Sequence, residues 1–352
     1  MPAGFLRASL RGFEPYAAGQ QPPDEAGWVK LNTNESPWPP SASVLDAIRK
    51  AVDERLRLYP HPLALAAREA IARHHGLEPD QVVVGNGADD LIELCFRAFA
   101  GAGDQVAFPV PTYPLLEPLC SIHEALAVHY PLSADWDLPA GFAVDPAPLK
   151  FLVNPNSPTG TWVDRETVAS VVEGSTGVVV LDEAYVDFAP EQRVDLVKAG
   201  APNLLLLRTF SKSYALAGVR IGYALGDRGL TASLDAVKDV YNVDRLAIAA
   251  AAAAIGDQDH HRRLVNFVVE ERAWLSERLR LAGFEVVPSA TNFLFARPAS
   301  GHSAAAVQAA LRERRILVRH YDREPVAGWL RVSVGTREQH ETLLEALNEV
   351  ME

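Results

Sequence analysis

The chain has 352 residues, 48% of them hydrophobic and 22% charged, with a formal net charge of −12. That length predicts two domains, or one large domain with a smaller appendage. The acidic balance argues against nucleic acid and anionic membrane as partners, since both reward a basic face.

Residues 1–27 are irregular and rich in Gly, Pro and Gln, and are expected to form an arm lying on the body. No long apolar run marks a signal peptide in this segment. The spacing of "ALAAREAIARHHG" (64–76) predicts a helix capped by Gly76. A short apolar strand at 81–84 precedes a helix at 89–100. Further strands are predicted in "QVAFPVPTY" (105–113), "KFLVNPNSPTG" (150–160), "GVVVLDEAY" (177–185) and "NLLLLRTFSKSY" (203–214). These strands are continuous apolar runs separated mostly by helical patterns, the mark of a mostly parallel, doubly covered α/β sheet. We assign residues 28–245 to this large domain. From about residue 240 the pattern changes. "LAIAAAAAAIG" (246–256) is too short and alanine-rich to span a bilayer. A long helix (259–283), four short strands and a last helix then predict a smaller α+β domain over 246–352. The two cysteines, Cys95 and Cys120, lie in apolar surroundings without a Cys/His cluster, which argues against disulfides, structural zinc or any other metal and for a reducing, cytoplasmic setting.

Ligands of open α/β sheets sit at the carboxyl ends of the strands, and the polar residues of this chain gather there. After the apolar run 204–207 comes Lys212 between Ser211 and Ser213. A partly desolvated lysine has a lowered pKa and becomes a nucleophile for carbonyls, so Lys212 is a candidate for a Schiff base. Arg220 and Ser211 supply a guanidinium and a hydroxyl suited to phosphate. "GNGADD" adds a glycine turn at a helix start, where the N–H groups of Gly87, Ala88 and Asp89 are expected to face an anion. Asp182 ends the strand "VVVLD", with Tyr185 close by. An ionised carboxylate there would keep a heterocyclic nitrogen protonated, and Tyr113 could stack on the ring. Phosphate cup, ring acid, stacking tyrosine and lysine together describe a site for pyridoxal phosphate.

With these residues assembled, the chain resembles the fold-type I, class I/II aminotransferases, and within them the branch whose amine is histidinol phosphate. The resemblance covers nearly the whole chain and includes "LNTNESP", "YPHP", "GNGADDLI", "PTYP", "NPNSPTG", "DEAYVDF", "RTFSKSYALAGVRIGY", "TNFLF" and "WLRVSVGT". It implies that Lys212 bonds the cofactor aldehyde, Asp182 pairs with the pyridine nitrogen and Tyr185 touches the ring hydroxyl. Ser211 and Arg220 would hold the phosphate, and Tyr113 would stack. Tyr59 matches a tyrosine that reaches into a partner subunit's site, which implies a homodimer. In the family pattern "NPNNPTG" the asparagine before Pro-Thr-Gly contacts the ring hydroxyl; here that position is Ser157, and Asn156 is assigned the contact, with Asn154 as the other candidate. Tyr16, Asn34, Arg319 and Arg331 match positions close to substrate, the two arginines as a clamp for phosphate or carboxylate and the arm as a lid. The reaction implied joins L-histidinol phosphate and 2-oxoglutarate in ping-pong order, with no metal. The same scaffold serves aromatic aminotransferases and threonine-phosphate decarboxylase. The motifs fit the decarboxylase less well, and an aromatic amino acid remains an alternative amine.

Overall fold

The computed structural model describes residues 5–22, 27–299 and 301–351. The predicted arm thus has residues 1–4 and 23–26 outside the described part. The elements in chain order begin with β1 (Val29–Leu31), α1 (Ala42–Ala51), α2 (Leu65–His75), β2 (Val82–Gly85), α3 (Ala88–Phe99), β3 (Gln105–Val110), α4 (Leu116–His123) and β4 (Leu126–Pro131). There follow β5 (Leu149–Val153), α5 (Arg165–Gly174), β6 (Val178–Asp182), α6 (Val194–Lys198), β7 (Leu204–Thr209), β8 (Gly222–Gly226), α7 (Arg228–Val237) and α8 (Arg245–Gly256). The chain closes with α9 (Gln258–Leu281), β9 (Glu285–Val286), β10 (Phe293–Arg297), α10 (Ala304–Glu313), β11 (Ile316–His320), β12 (Leu330–Ser333) and α11 (Arg337–Met351).

Seven strands form the larger sheet in the order β2-β8-β7-β6-β5-β3-β4. Neighbours from β7 to β4 run parallel, and β8 is antiparallel to both β7 and β2. Successive residues of a strand point to opposite faces, and the two faces are both covered here. Val179, Leu181, Leu204 and Leu206 enter one apolar cluster with α1, α2, α5 and α8. Val180, Leu205 and Leu207 enter the other, with α3, α4 and α7. This double burial explains why β6 and β7 read as unbroken apolar runs. It also explains why β4, half-exposed at the sheet edge, was not read as a strand.

The smaller sheet has the order β1-β11-β12-β10-β9. β1 pairs in parallel with β11, Val29 opposite Ile316, and Leu31 packs into the core beneath it. Residues 29–31 therefore belong to the smaller sheet rather than to a large domain starting at 28. The other boundary shifts as well. Ala247, Ala250, Ala251 and Ala254 of α8 lie in the large-sheet core, since small side chains let α8 approach α1 and α2 closely. The large layer thus runs to about Gly256, not 245.

Among the described residues no helix is long and apolar enough to cross a membrane. Leu206 is fully buried on the interior strand β7. Leu206→Ala is expected to lower unfolding stability by about 2–5 kcal/mol, read as a shift of the urea midpoint.

Candidate active site

The carboxyl ends of β2, β3, β5, β6 and β7 open on one side of the large sheet, and two connected chambers lie over them. The inner chamber, of ≈ 290 Å³, is lined by Asp182, Tyr185, Lys212, Ser211, Arg220 and Tyr113, among others. The outer one, of ≈ 490 Å³, shares Tyr113, Tyr185, Lys212 and Arg220 and adds Tyr16, Asn34, Arg319 and Arg331.

β6 delivers Asp182 to the floor. Its Oδ1 accepts the Ala184 N–H at 2.9 Å. Burial raises its pKa to about 7, aided by Asp89 and Glu183 and opposed by that N–H and by Lys212. The next residue, Glu183, turns the other way. Its Oε2 accepts Nε and Nη2 of Arg208 from β7 at 2.9 and 2.6 Å, in a fully buried pair. This pair ties the loop after β6 to its neighbouring strand beneath the chamber. β7 ends at Thr209, whose hydroxyl accepts the Ser211 N–H at 3.1 Å and donates to Ser211 Oγ at 2.9 Å. That small turn aims Lys212 inward. Lys212 Nζ donates to Thr33 O at 3.4 Å and lies 5.8 Å from the Tyr185 ring centre. Burial lowers its pKa to about 8. Arg331 and Arg220 push the same way, while Glu35 and Asp89 oppose them.

An anion cup adjoins the lysine. Ala88 and Asp89 are the first residues of α3, and initial N–H groups of a helix lack intrahelical partners. Gly87 plays a different part from the one expected, because its own N–H is engaged by Gly85 O at 2.9 Å. Its contribution is space. Gly87 has φ +87°, and a Cβ there would stand 2.7 Å from Arg220 Nη2. Arg220 Nη1 donates to Ser211 Oγ at 3.5 Å and its Nη2 to Asp89 Oδ2 at 3.4 Å. Tyr113 donates its hydroxyl to Asp89 Oδ1 at 2.9 Å, which holds the ring over the inner chamber.

The outer chamber is walled by the smaller sheet. Arg319 and Arg331 face each other across the antiparallel pair β11–β12. Arg331 Nη2 donates to Asn32 O at 3.0 Å and Nη1 to Ser157 Oγ at 3.3 Å, while its buried Nε has no partner. Arg319 donates to Ala17 O and Ala18 O at 3.0 and 3.3 Å, so it also straps the arm down. Tyr16, on that arm, packs its ring 5.9 Å from Tyr113. Asn34 donates to the Tyr185 hydroxyl at 3.0 Å.

Two sequence assignments change. Asn156 does not reach the chamber, because its amide donates to Pro111 O at 3.1 Å and Thr159 Oγ1 at 2.8 Å, fixing its own turn. Asn154 is likewise engaged, with the backbone of Val163. Ser157 itself lines the chamber. The Gly87 N–H is not an anion donor. Tyr59 does not join the site of its own chain: it is 78% exposed and stacks on Tyr241 at 4.4 Å. Residues that the sequence reading missed are Thr33 and Glu35, which flank Asn34 on the inner wall, and Ser333. Ser333 shares a strand face with Arg331 at a spacing of two, a signal that was available.

The chain belongs to the class I and II aminotransferase family, whose model matches residues 26–347. It is 42% identical over 345 residues to the histidinol-phosphate aminotransferase of Geotalea uraniireducens, covering 98% of this chain and 99% of that one. It is 43% identical to histidinol-phosphate aminotransferase 1 of Bradyrhizobium diazoefficiens, covering 99% of each. The crystal structure of histidinol-phosphate aminotransferase from Sinorhizobium meliloti in complex with pyridoxal-5'-phosphate superposes with a TM-score of 0.85 at 31% identity, covering 92% of this chain and 90% of that one.

Gly222, at the start of β8, backs the cup. A Cβ there would stand 2.8 Å from Arg208 O and 2.9 Å from Ala88 N, both backbone atoms. Gly222→Ala is expected to displace the start of α3 and weaken binding of pyridoxal phosphate about tenfold or more, read by fluorescence titration of the apoprotein.

Proposed function

We propose that this chain is a pyridoxal-phosphate-dependent aminotransferase whose amine is L-histidinol phosphate and whose amino acceptor is 2-oxoglutarate. The observation that carries the reading is Lys212 and Asp182 in one chamber, at the ends of neighbouring parallel strands. The donor set fits the cofactor. Ala88, Asp89, Ser211 and Arg220 form a cup for its phosphate, and the space that Gly87 leaves open belongs to that cup. Asp182 would hold a proton on the ring nitrogen, Tyr185 and Ser157 of the same chamber would meet the ring hydroxyl, and Tyr113 would cover the ring. Bound there, pyridoxal phosphate supplies an aldehyde that takes the amine and a ring that stores the negative charge left by loss of a proton.

The protein's own groups do the rest. Lys212, with its pKa lowered to about 8, takes the proton from the amine carbon as base and returns it as acid. Burial keeps water away from this transfer. Arg331 and Arg319 give the outer chamber two guanidiniums for the phosphate of the amine, and the same pair serves the carboxylates of the 2-oxo acid in the second half of the ping-pong cycle. The arm carrying Tyr16 covers the chamber as a lid.

The homodimer belongs to the same reading. Tyr59 and Tyr241 stand on the surface beside exposed Leu56, Leu58 and Val240. A second copy covering this patch would bring Tyr59 to its neighbour's cofactor. The free, buried Cys95 and Cys120 suit a reducing, cytoplasmic setting.

Lys212→Ala is expected to reduce turnover by roughly 10²–10⁴-fold in a coupled glutamate assay. Retained turnover would refute the role of the lysine. Arg319→Ala should raise KM for L-histidinol phosphate by about tenfold or more while changing that for L-phenylalanine far less. Equal losses would remove the phosphate clamp and favour an aromatic amine.

A further inference from the structure

A buried histidine lies behind the substrate wall. His340, on α11, is fully buried. Its Nε2 stands 2.7 Å from the backbone nitrogen of Gly335, and its Nδ1 stands 3.1 Å from Glu271 Oε2. An amide N–H can only donate, so Nε2 must carry the lone pair. Nδ1 then carries the proton and donates it to Glu271. The ring is therefore neutral in this arrangement, and protonation would place a hydrogen on Nε2 against the Gly335 N–H.

Gly335 lies two residues beyond the end of β12. Three successive amides of that turn each have one acceptor. Val334 N–H goes to Asn292 O at 2.8 Å, Gly335 N–H to His340, and Thr336 N–H to Gln339 Oε1 at 2.9 Å. His340 is the titratable member of the three. The turn in turn fixes Asn34. Ser333 Oγ accepts the Asn34 N–H at 2.8 Å and donates to Asn34 Oδ1 at 2.9 Å, and Asn292 Nδ2 donates to Asn34 O at 3.0 Å. Asn34 sits in the left-handed region at φ 55°, a conformation that needs such support in a residue with a side chain. Its remaining amide hydrogens face Tyr185, whose hydroxyl accepts at 3.0 Å. Arg331 lies on the same strand as Ser333.

We propose that His340 is a positioning residue for transamination: through Gly335, Ser333 and Asn34 its neutral ring holds Tyr185 and Arg331 in place for the substrate. This rests on the aminotransferase reading of the site. The groups facing the ring are Glu271 and Trp274 of α9, Arg337 of its own helix, and the 334–336 turn; Glu271 and Arg337 are the charged ones. Glu271 is shared, since Arg337 donates to it at 2.7 and 3.1 Å. Burial lowers the pKa of His340, with Arg337 acting in the same direction and Glu271 opposing. The ring is thus neutral at neutral pH, and the Gly335 contact is lost as pH falls through its lowered pKa.

Two substitutions separate acceptor from charge. His340→Gln places an amide oxygen near the Nε2 position, where it accepts without titrating. His340→Leu removes the acceptor. As pH is lowered from about 7.5 to the acid edge of the folded range, KM of wild-type holoenzyme for L-histidinol phosphate should rise about tenfold relative to His340→Gln, with kcat following the same pH profile in both. His340→Leu should show the raised KM at every pH. The apoprotein provides a readout independent of turnover. Hydrogen-exchange protection of the 333–336 amides, corrected for intrinsic rates, should fall about tenfold in wild type at the acid end and stay high in His340→Gln, the change expected when one buried amide loses its acceptor. Wild-type KM and wild-type protection of the 333–336 amides in His340→Leu would overturn the proposal, as would a KM and protection in His340→Gln at neutral pH no different from those of His340→Leu. A protein that turned over no amine would refute the aminotransferase reading, while the exchange comparison would still decide what His340 holds.

Discussion

The structure is organised around a carboxylate and an amine buried within one chamber. Asp182 and Lys212 are both shifted toward neutrality by burial, to about 7 and about 8. The signs follow from linkage. A raised Asp182 pKa makes its contribution to stability fall as pH rises from the ordinary carboxylate value of about 4 to about 7. A lowered Lys212 pKa makes the charged amine unfavourable below about 8, with relief as pH rises above that. At neutral pH neither group favours the folded state through its charge. Both are present because their chemistry requires them, and surrounding elements must hold them there.

Those elements are rigid. β6 and β7 are sealed on both faces, so the two strand ends move little relative to one another. The buried Glu183–Arg208 pair joins the loop that follows Asp182 to the strand that precedes Lys212. Removing one partner of such a pair leaves an uncompensated charge in the core, so its worth lies in fixing geometry. The smaller sheet completes the wall from outside. Arg331 bridges it to the large sheet by reaching Ser157, and Asn34 bridges it again by reaching Tyr185. The substrate chamber is thus built across the two sheets, with the arm strapped over it by Arg319.

Much of this was legible in the sequence, for a physical reason. Strands buried on both faces write themselves as apolar runs, and the residues just after them must lie at one edge of a parallel sheet. Lys212, Asp182, Ser211, Arg220 and Tyr113 were found this way. What escaped reading depended on contacts distant in sequence. The three residues of β1 have no pattern of their own and gain their place only by pairing with β11. The glycine-bounded strand β8 resembles the turn before it. The assignment of Asn156, with Asn154 as the alternative, gives way because the surrounding carbonyls and a hydroxyl claim both asparagine amides, and Ser157 lines the chamber instead. Gly87 was credited with an N–H that its own turn consumes. Arg319 was read as a clamp alone, since nothing in "ILVRHY" announces the carbonyls of Ala17 and Ala18.

We propose that Lys212 and the two facing arginines make one site for a phosphate-bearing amine. The most direct measurement is a spectral titration of the purified protein loaded with pyridoxal phosphate, with L-histidinol phosphate added to one sample and L-phenylalanine to another, and no 2-oxo acid in either. The expected result is a yellow absorbance band that L-histidinol phosphate bleaches at concentrations about tenfold or more below those of L-phenylalanine. A protein that forms no yellow band, or one that L-phenylalanine bleaches at equal or lower concentration, would contradict it.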